Sequence, residues 1–234
     1  GSGTLPMAIA YAQYILCSNT DGENNTGNQA CNLKFTHFSH PDLHFAFPVT
    51  TSDKAKSHPV SNNYMDEWRQ MLTDQPYGNL FDWYKLLGVE NKQGQIGVDE
   101  ALEIVKSLSL KSYEGGYKVM LIWMAEKMNI SCANKLLKLI EEPPAKTVFI
   151  LIAEEEEQII KTIKSRCQLL HFPPLSENEI KQGLIKNYGL DEAVAIKIAH
   201  QSNGNFNKAC DLIYQDSEDL QFEKWFIFWI RTAF

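Results

Sequence analysis

Tyr117-Lys118-Val119-Met120-Leu121-Ile122-Trp123, set behind the turn signal Gly115-Gly116, is the run whose reading decides the fold. It is continuously apolar but for one lysine, and too short for an ordinary helix. Such a run suits a strand covered on both faces of a parallel sheet. Asn134 to Glu142 follows with Leu136, Leu137, Leu139 and Ile140 at helical spacing, and Pro143-Pro144 stops it. Thr147 to Ile152 then reads as a second apolar strand, and a further segment ends at Ser165-Arg166-Cys167. Strand, helix, strand is the repeating unit of an α/β sheet, whose ligand sites lie at the strand ends.

The residues of this stretch carry a family resemblance. Lys118-Val119-Met120-Leu121-Ile122, Ala125-Glu126-Lys127-Met128, Ala133-Asn134-Lys135-Leu136-Leu137-Lys138, Ile140-Glu141-Glu142-Pro143-Pro144 and Ser165-Arg166-Cys167-Gln168 occur in one order. Together they resemble the clamp loader subunits, AAA+ proteins that open a sliding clamp and place it on primed DNA. The resemblance implies an α/β fold: a P-loop NTPase-like parallel sheet flanked by helices, followed by a small three-helix lid. It implies residues 1–172 as the core, 173–215 as the lid and 216–234 as the start of a helical collar.

An active member needs an Asp-Glu pair after the first of these strands, the Asp to position magnesium and the Glu to activate water. Those two places read Trp123 and Met124. Neither offers the oxygen ligands that a hard cation takes. Gly1-Ser2-Gly3-Thr4 resembles the second half of a phosphate-binding loop, with the helix Leu5 to Cys17 behind it. A short Gly-Ser leader also reads as a cloning remnant. On the family reading Thr4 stands where the lysine belongs, Leu5 replaces the magnesium-holding Ser or Thr, and the preceding strand lies before residue 1. Pro6 sits in the first turn, where a helix tolerates it. The strand Thr147 to Ile152 ends in Ala153 and then Glu154-Glu155-Glu156-Glu157, so it supplies no polar phosphate sensor. These carboxylates read more simply as favouring the N-terminus of a helix from Gln158 to Lys164.

Composition agrees with a soluble globular protein. The chain has 234 residues, 44% hydrophobic and 22% charged, with a formal net charge of −7 and a pI near 5.4, not the balance of an autonomous nucleic-acid binder. No apolar stretch reaches the length of a membrane span, and the expected location is cytoplasmic. Five cysteines without tight pairing read as reduced thiols.

Ser18 to Gln29, rich in Asn, Gly, Thr and Asp, reads as a surface loop. Members of the family often carry a four-cysteine zinc module here, of which this chain keeps Cys17 and Cys31. With His37 and His40 they would make a substitute set, but the close C-x-x-C pairing is absent, and the expectation is no metal. His40-Pro41-Asp42 reads as a turn before the strand Phe45 to Val49, with Asp42 bonding nearby backbone. Tyr64, Met65, Trp68, Met71 and Leu72 form a helical core stripe, and Val98 to Leu108 a further helix. Lys92, Lys106 and Lys111 are solvated lysines before they are phosphate contacts.

Beyond Pro173-Pro174, Ser176 and Glu179 form a capping box opening a helix to Asn187, ended by Gly189. Asp191 caps a second helix, and Asn205 to Tyr214 makes a third. Active members carry an arginine, in Gly-x-x-Arg, that reaches ATP from this bundle; after Gly204 that place is Asn207. The aromatic segment Phe222 to Phe234 would open the collar.

The resemblance therefore implies a subunit with no cofactor and no ATPase activity of its own. Its implied partners are the gamma/tau and delta subunits of the bacterial DNA polymerase III clamp loader, the sliding clamp, and primed DNA through the complex. Arg166, between Ser165 and Cys167 and just ahead of a buried strand, is implied to serve a neighbouring subunit's nucleotide in trans. Its plainer role is an ion pair with one of Glu154 to Glu157. Three rivals stand beside this reading: an ATP-hydrolysing gamma/tau-type subunit, another AAA+ ATPase working through unusual residues, for which Glu126 sits too far along the chain, and a non-replicative scaffold, against which Ser165-Arg166-Cys167 argues.

Overall fold

The computed structural model describes residues 3–18 and 28–213. The described residues divide into two compact units, one within 4–170 and the other of 171–213 together with Gly3.

The first unit is organised on three parallel strands in the order β1-β2-β3: β1 (Leu43–Ala46), β2 (Lys118–Trp123) and β3 (Thr147–Ile152). Register runs from Leu43 opposite Val119 to Ala46 opposite Ile122, and from Lys118 opposite Thr147 to Trp123 opposite Ile152. Central β2 is buried at all six positions, which is why its sequence does not alternate. Its side chains nonetheless divide between the two faces, as a pleated strand requires. Val119, Leu121 and Trp123 enter one core, with α1 (Thr4–Cys17), α3 (Met65–Asp74) and α4 (Leu80–Leu86). Met120 and Ile122 enter the other, with α5 (Val98–Ser109) and α6 (Ile130–Glu141). Helices thus cover both faces of the sheet.

The first core is aromatic at its centre. Trp68 lies with its ring centroid 4.3 Å from Phe47, 5.1 Å from Trp123 and 5.5 Å from Trp83. The Trp83 indole donates to the Pro48 carbonyl at 2.8 Å. The stripe Tyr64, Trp68, Met71 and Leu72 is core, as its spacing predicts. In the second core, Lys118 is buried with its ammonium donating to the Leu108 and Leu110 carbonyls, so a charged side chain closes the C-terminus of α5.

Several boundaries differ from expectation. β1 occupies Leu43–Ala46 rather than 45–49, because Phe47 N–H donates to the Ser61 hydroxyl at 2.9 Å and leaves the ladder. Val49 makes a lone antiparallel bridge to Gln95. α6 begins four residues early, with the Asn129 side chain accepting from Cys132 N–H as its cap. The expected helix over 158–164 is instead a short 3₁₀ turn at Glu156–Gln158 and a four-residue helix, α7 (Lys161–Lys164). The backbones of Ile159 and Ile160 separate the two, so Glu156 and Glu157 lie in the 3₁₀ turn and none of the four glutamates is in the first turn of α7. No strand follows Cys167 among the described residues, and Leu169 and Leu170 are exposed. Two helices arise that the sequence reading does not contain, α2 (Gln29–Thr36) and α4.

The Ser61 hydroxyl that ends β1 belongs to a buried network. Ser61 N–H donates to the Glu100 carboxylate at 2.6 Å. Glu100 lies in the first turn of α5 and is 3% exposed. Burial pushes its carboxyl from 4.5 up to about 7, against the opposing pull of the Ser61 hydrogen bonds. Between these two values the folded chain holds a proton that the unfolded chain has released, so stability falls as pH rises through the window. The shift corresponds to a ceiling of about 3 kcal/mol. Glu100→Gln should abolish the slope and be the more stable protein at pH 8, read from urea midpoints at pH 5 and pH 8. Parallel behaviour of the two proteins would show that Glu100 ionises freely.

In the second unit, α8 (Glu177–Tyr188) opens on the expected capping box of Ser176 and Glu179 and closes on left-handed Gly189. α9 (Glu192–Ser202) is capped by Asp191, and residues 206–213 are helical. Gly183 is required for packing: a Cβ there would lie 2.6 Å from the Phe206 ring. Gly1, Ser2, residues 19–27 of the loop after Ser18, and the segment 214–234 with its expected collar lie outside the described residues.

Candidate functional site

Strand ends at the C-terminal edge of a parallel sheet are where such folds place chemistry. At the end of β2 Trp123 and Met124 are each 2% exposed, and both side chains belong to the aromatic core. Met124 takes a left-handed backbone, φ 56° and ψ 55°, which turns the chain sharply into the next 3₁₀ turn. These positions present packed hydrocarbon and sulfur where an NTPase presents carboxylates. Leu5, in the first turn of α1, is likewise in the core rather than available to a metal. Thr4 is the first residue of α1. Asn207 is buried in the second unit, in the helical stretch 206–213.

Glu126 is the acid that remains near this edge. One of its carboxylate oxygens accepts from Glu154 N–H at 3.3 Å, joining the segment after β2 to the end of β3. Its other oxygen is buried without a partner, and burial holds its carboxyl above the ordinary range. Its role here is a cross-link between strand ends.

Ser165, Arg166 and Cys167 wrap the end of α7. Arg166 N–H donates to the Ile163 carbonyl and Cys167 N–H to the Lys164 carbonyl. The Arg166 guanidinium donates through Nε to Glu141 at 3.1 Å and through Nη1 to the Thr162 carbonyl at 2.9 Å. The Ser165 hydroxyl donates to that same carbonyl at 3.2 Å. Arg166 therefore pairs with Glu141, at the end of α6, and not with the glutamate run. Of that run, Glu156 pairs with Lys164. The side chain of Arg166 keeps 31% exposure, and the Cys167 thiol is free. Glu141 is missed by sequence reasoning: within Glu141-Glu142-Pro143-Pro144 nothing signals a partner 25 residues on.

The cysteine reading requires correction. Cys17, which ends α1, and Cys31, in α2, form a disulfide, leaving Cys132, Cys167 and Cys210 as the free thiols. Among the described residues, Cys31, His40 and Glu114 have potential ligand atoms within 4.8 Å of one another, while His37 is outside this group. The donor chemistry does not suit a metal. His40 Nδ1 accepts from Asp42 N–H at 3.2 Å, so Nε2 carries the ring proton and donates to Glu114 at 3.3 Å. Glu114 is in turn paired with Lys34, and Cys31 is taken up in the disulfide.

The Asp42 side chain bonds a distant segment of the chain rather than the nearby backbone expected of it. Buried, it accepts from Tyr113 N–H at 2.8 Å, Glu114 N–H at 3.1 Å and the Ser112 hydroxyl at 3.2 Å. The His-Pro-Asp turn thus anchors the loop that feeds β2. Lys92 donates to the Thr51 carbonyl at 2.7 Å, and Lys106 pairs with Glu103 at 3.6 Å. Among the described residues no helix is long and apolar enough to cross a membrane.

The sequence model of the family described as DNA polymerase III, delta subunit, matches residues 1–176. The DNA polymerase III subunit delta' of Escherichia coli strain K12 is 31% identical over 218 residues, 93% of this chain and 53% of that protein. The subunit delta' of Bacillus subtilis strain 168 is 34% identical over 216 residues, 92% of this chain and 52% of its own length. The chain thus spans about half the length of these relatives. Among solved structures, a mutant RuvB of Thermotoga maritima aligns with a TM-score of 0.44 and 14% identity, covering 84% of this chain and 64% of that one. By the extent of the family match and the agreement of its relatives, this chain belongs to the DNA polymerase III delta' subunit family of clamp loader proteins.

Proposed function

We propose that the protein is a non-hydrolysing subunit of the ring that loads the sliding clamp onto primed DNA, built on an AAA+ core. Its partners on this reading are the gamma/tau and delta subunits of DNA polymerase III, with residues 1–172 the core, 173–215 the lid and 216–234 the start of the collar. Arg166 then acts in trans on ATP held by a neighbouring subunit.

The observation that carries the non-catalytic half is the burial of Trp123 and Met124 in the aromatic core. A site lacking magnesium ligands at the strand end cannot assemble the metal-bridged triphosphate that phosphoryl transfer needs. Leu5 in the core, where a hydroxyl would serve the metal, supports the same reading. The ATP-hydrolysing alternative would have to draw on Glu126, whose carboxylate is engaged with Glu154 backbone.

Titration of the full-length protein with Mg-ATP in a calorimeter, paired with a turnover assay, tests this. The expected result is no turnover and no micromolar binding. Micromolar affinity together with turnover that disappears in Glu126→Gln would establish the ATPase reading in its place.

A further inference from the structure

We propose that Glu141 is the positioning residue for Arg166, fixing the plane of its guanidinium so that the outer edge is presented to the neighbouring subunit's phosphates. The inference rests on the trans reading of Arg166 and deepens it. Glu141 is the last residue of α6, and Pro143-Pro144 closes that helix immediately beyond it, so the carboxylate stands on a rigid element. Arg166 approaches from the end of α7 and is held at two points, Nε on Glu141 at 3.1 Å and Nη1 on the Thr162 carbonyl at 2.9 Å.

Two contacts on different nitrogens block rotation of a planar guanidinium, where one would leave it free to swing. They consume Nε–H and one proton of Nη1. Three N–H donors, one on Nη1 and two on Nη2, remain for an anion. A phosphate reached by a pre-oriented fork costs little reorganisation at the moment of transfer, which is the condition for strong electrostatic stabilisation. A loose arginine would incur that ordering cost on every turnover. Glu141 is itself half-exposed, so an isolated pair of this kind contributes little to fold stability. That separates positioning from structural support.

The test uses the full-length protein reconstituted with its gamma/tau and delta partners, measuring kcat and KM for DNA-dependent ATP hydrolysis. Glu141→Ala should lower kcat about tenfold with KM for ATP unchanged. Glu141→Gln keeps a carbonyl acceptor for Nε–H and should stay within about twofold of the parent, a rescue that a general loss of packing would not produce. A fall in Gln as deep as in Ala, or an Ala variant as fast as the parent, overturns the assignment of Glu141. Arg166→Ala is run beside them. If that variant is slow while Glu141→Ala is normal, only the positioning role fails. If Arg166→Ala is itself as fast as the parent, the trans reading falls and this inference with it.

Discussion

Arg166→Ala, in the reconstituted complex, is expected to slow ATP hydrolysis at the adjacent nucleotide site by about a thousandfold. A guanidinium placed against the transferring phosphoryl group stabilises charge that develops only in the transition state, so its loss falls on kcat. Arg166→Lys should recover little of the rate, since an ammonium carries the charge without the planar fork. The isolated subunit should hardly register the change. Arg166 contacts Glu141 and the Thr162 carbonyl at a surface where its side chain keeps 31% exposure. Such a pair is worth about 1 kcal/mol or less, which for a chain of this size shifts Tm by about 4 °C at most. A large kinetic effect with a small thermal one is the signature expected of a group that works on a neighbour. Clamp loading and hydrolysis at the normal rate by the Arg166→Ala complex would remove the trans role and leave Arg166 as a tether between α6 and α7.

How much of this was legible in the chain follows from the range of the interactions involved. β2 and β3 were readable because their burial is written locally, as short apolar runs between turn signals. The opening of α8 was readable because a capping box, Ser176 with Glu179, is complete within four residues. Where a distant group intervenes, local reading fails. The run through Phe47, Pro48 and Val49 looks like strand, yet Phe47 leaves the ladder for a serine hydroxyl 14 residues away. The glutamates before Gln158 look like helix-start charges, but Ile159 and Ile160 break the segment.

At the site the same division holds. That Trp123 and Met124 carry no carboxylate is visible in the letters, whereas the acidic partner of Arg166 and the partners of Asp42 lie 25 and about 70 residues off and carry no mark. The Cys17–Cys31 bond joins two helices across a span of 14 residues, in a chain whose odd cysteine count gives no pairing rule.

On the non-hydrolysing reading proposed above, the absence of magnesium ligands at the strand end is built into the core, and this gives the second large effect. Trp123→Asp, which writes the missing acid back into the strand end, is expected to destabilise the protein by at least about 4 kcal/mol. Trp123 is 2% exposed, with its ring centroid 5.1 Å from that of Trp68. Removing a buried aromatic side chain of this size costs about 3–5 kcal/mol through the cavity and lost contacts. A carboxyl group put in its place must either remain charged without a partner or take up a proton, and both add to the cost. For a chain of this length the combined loss lowers Tm by about 10 °C or more. Trp123→Phe, which keeps an aromatic ring against Trp68, should cost only about 1–2 kcal/mol. Urea unfolding followed by far-UV circular dichroism compares the three proteins without relying on the fluorescence of the residue being replaced. An aspartate variant with the parent's midpoint would mean that the strand end can open to solvent. The side chain of Trp123 would then be a lid over a usable site, and the aromatic core would no longer support the proposed non-hydrolysing reading.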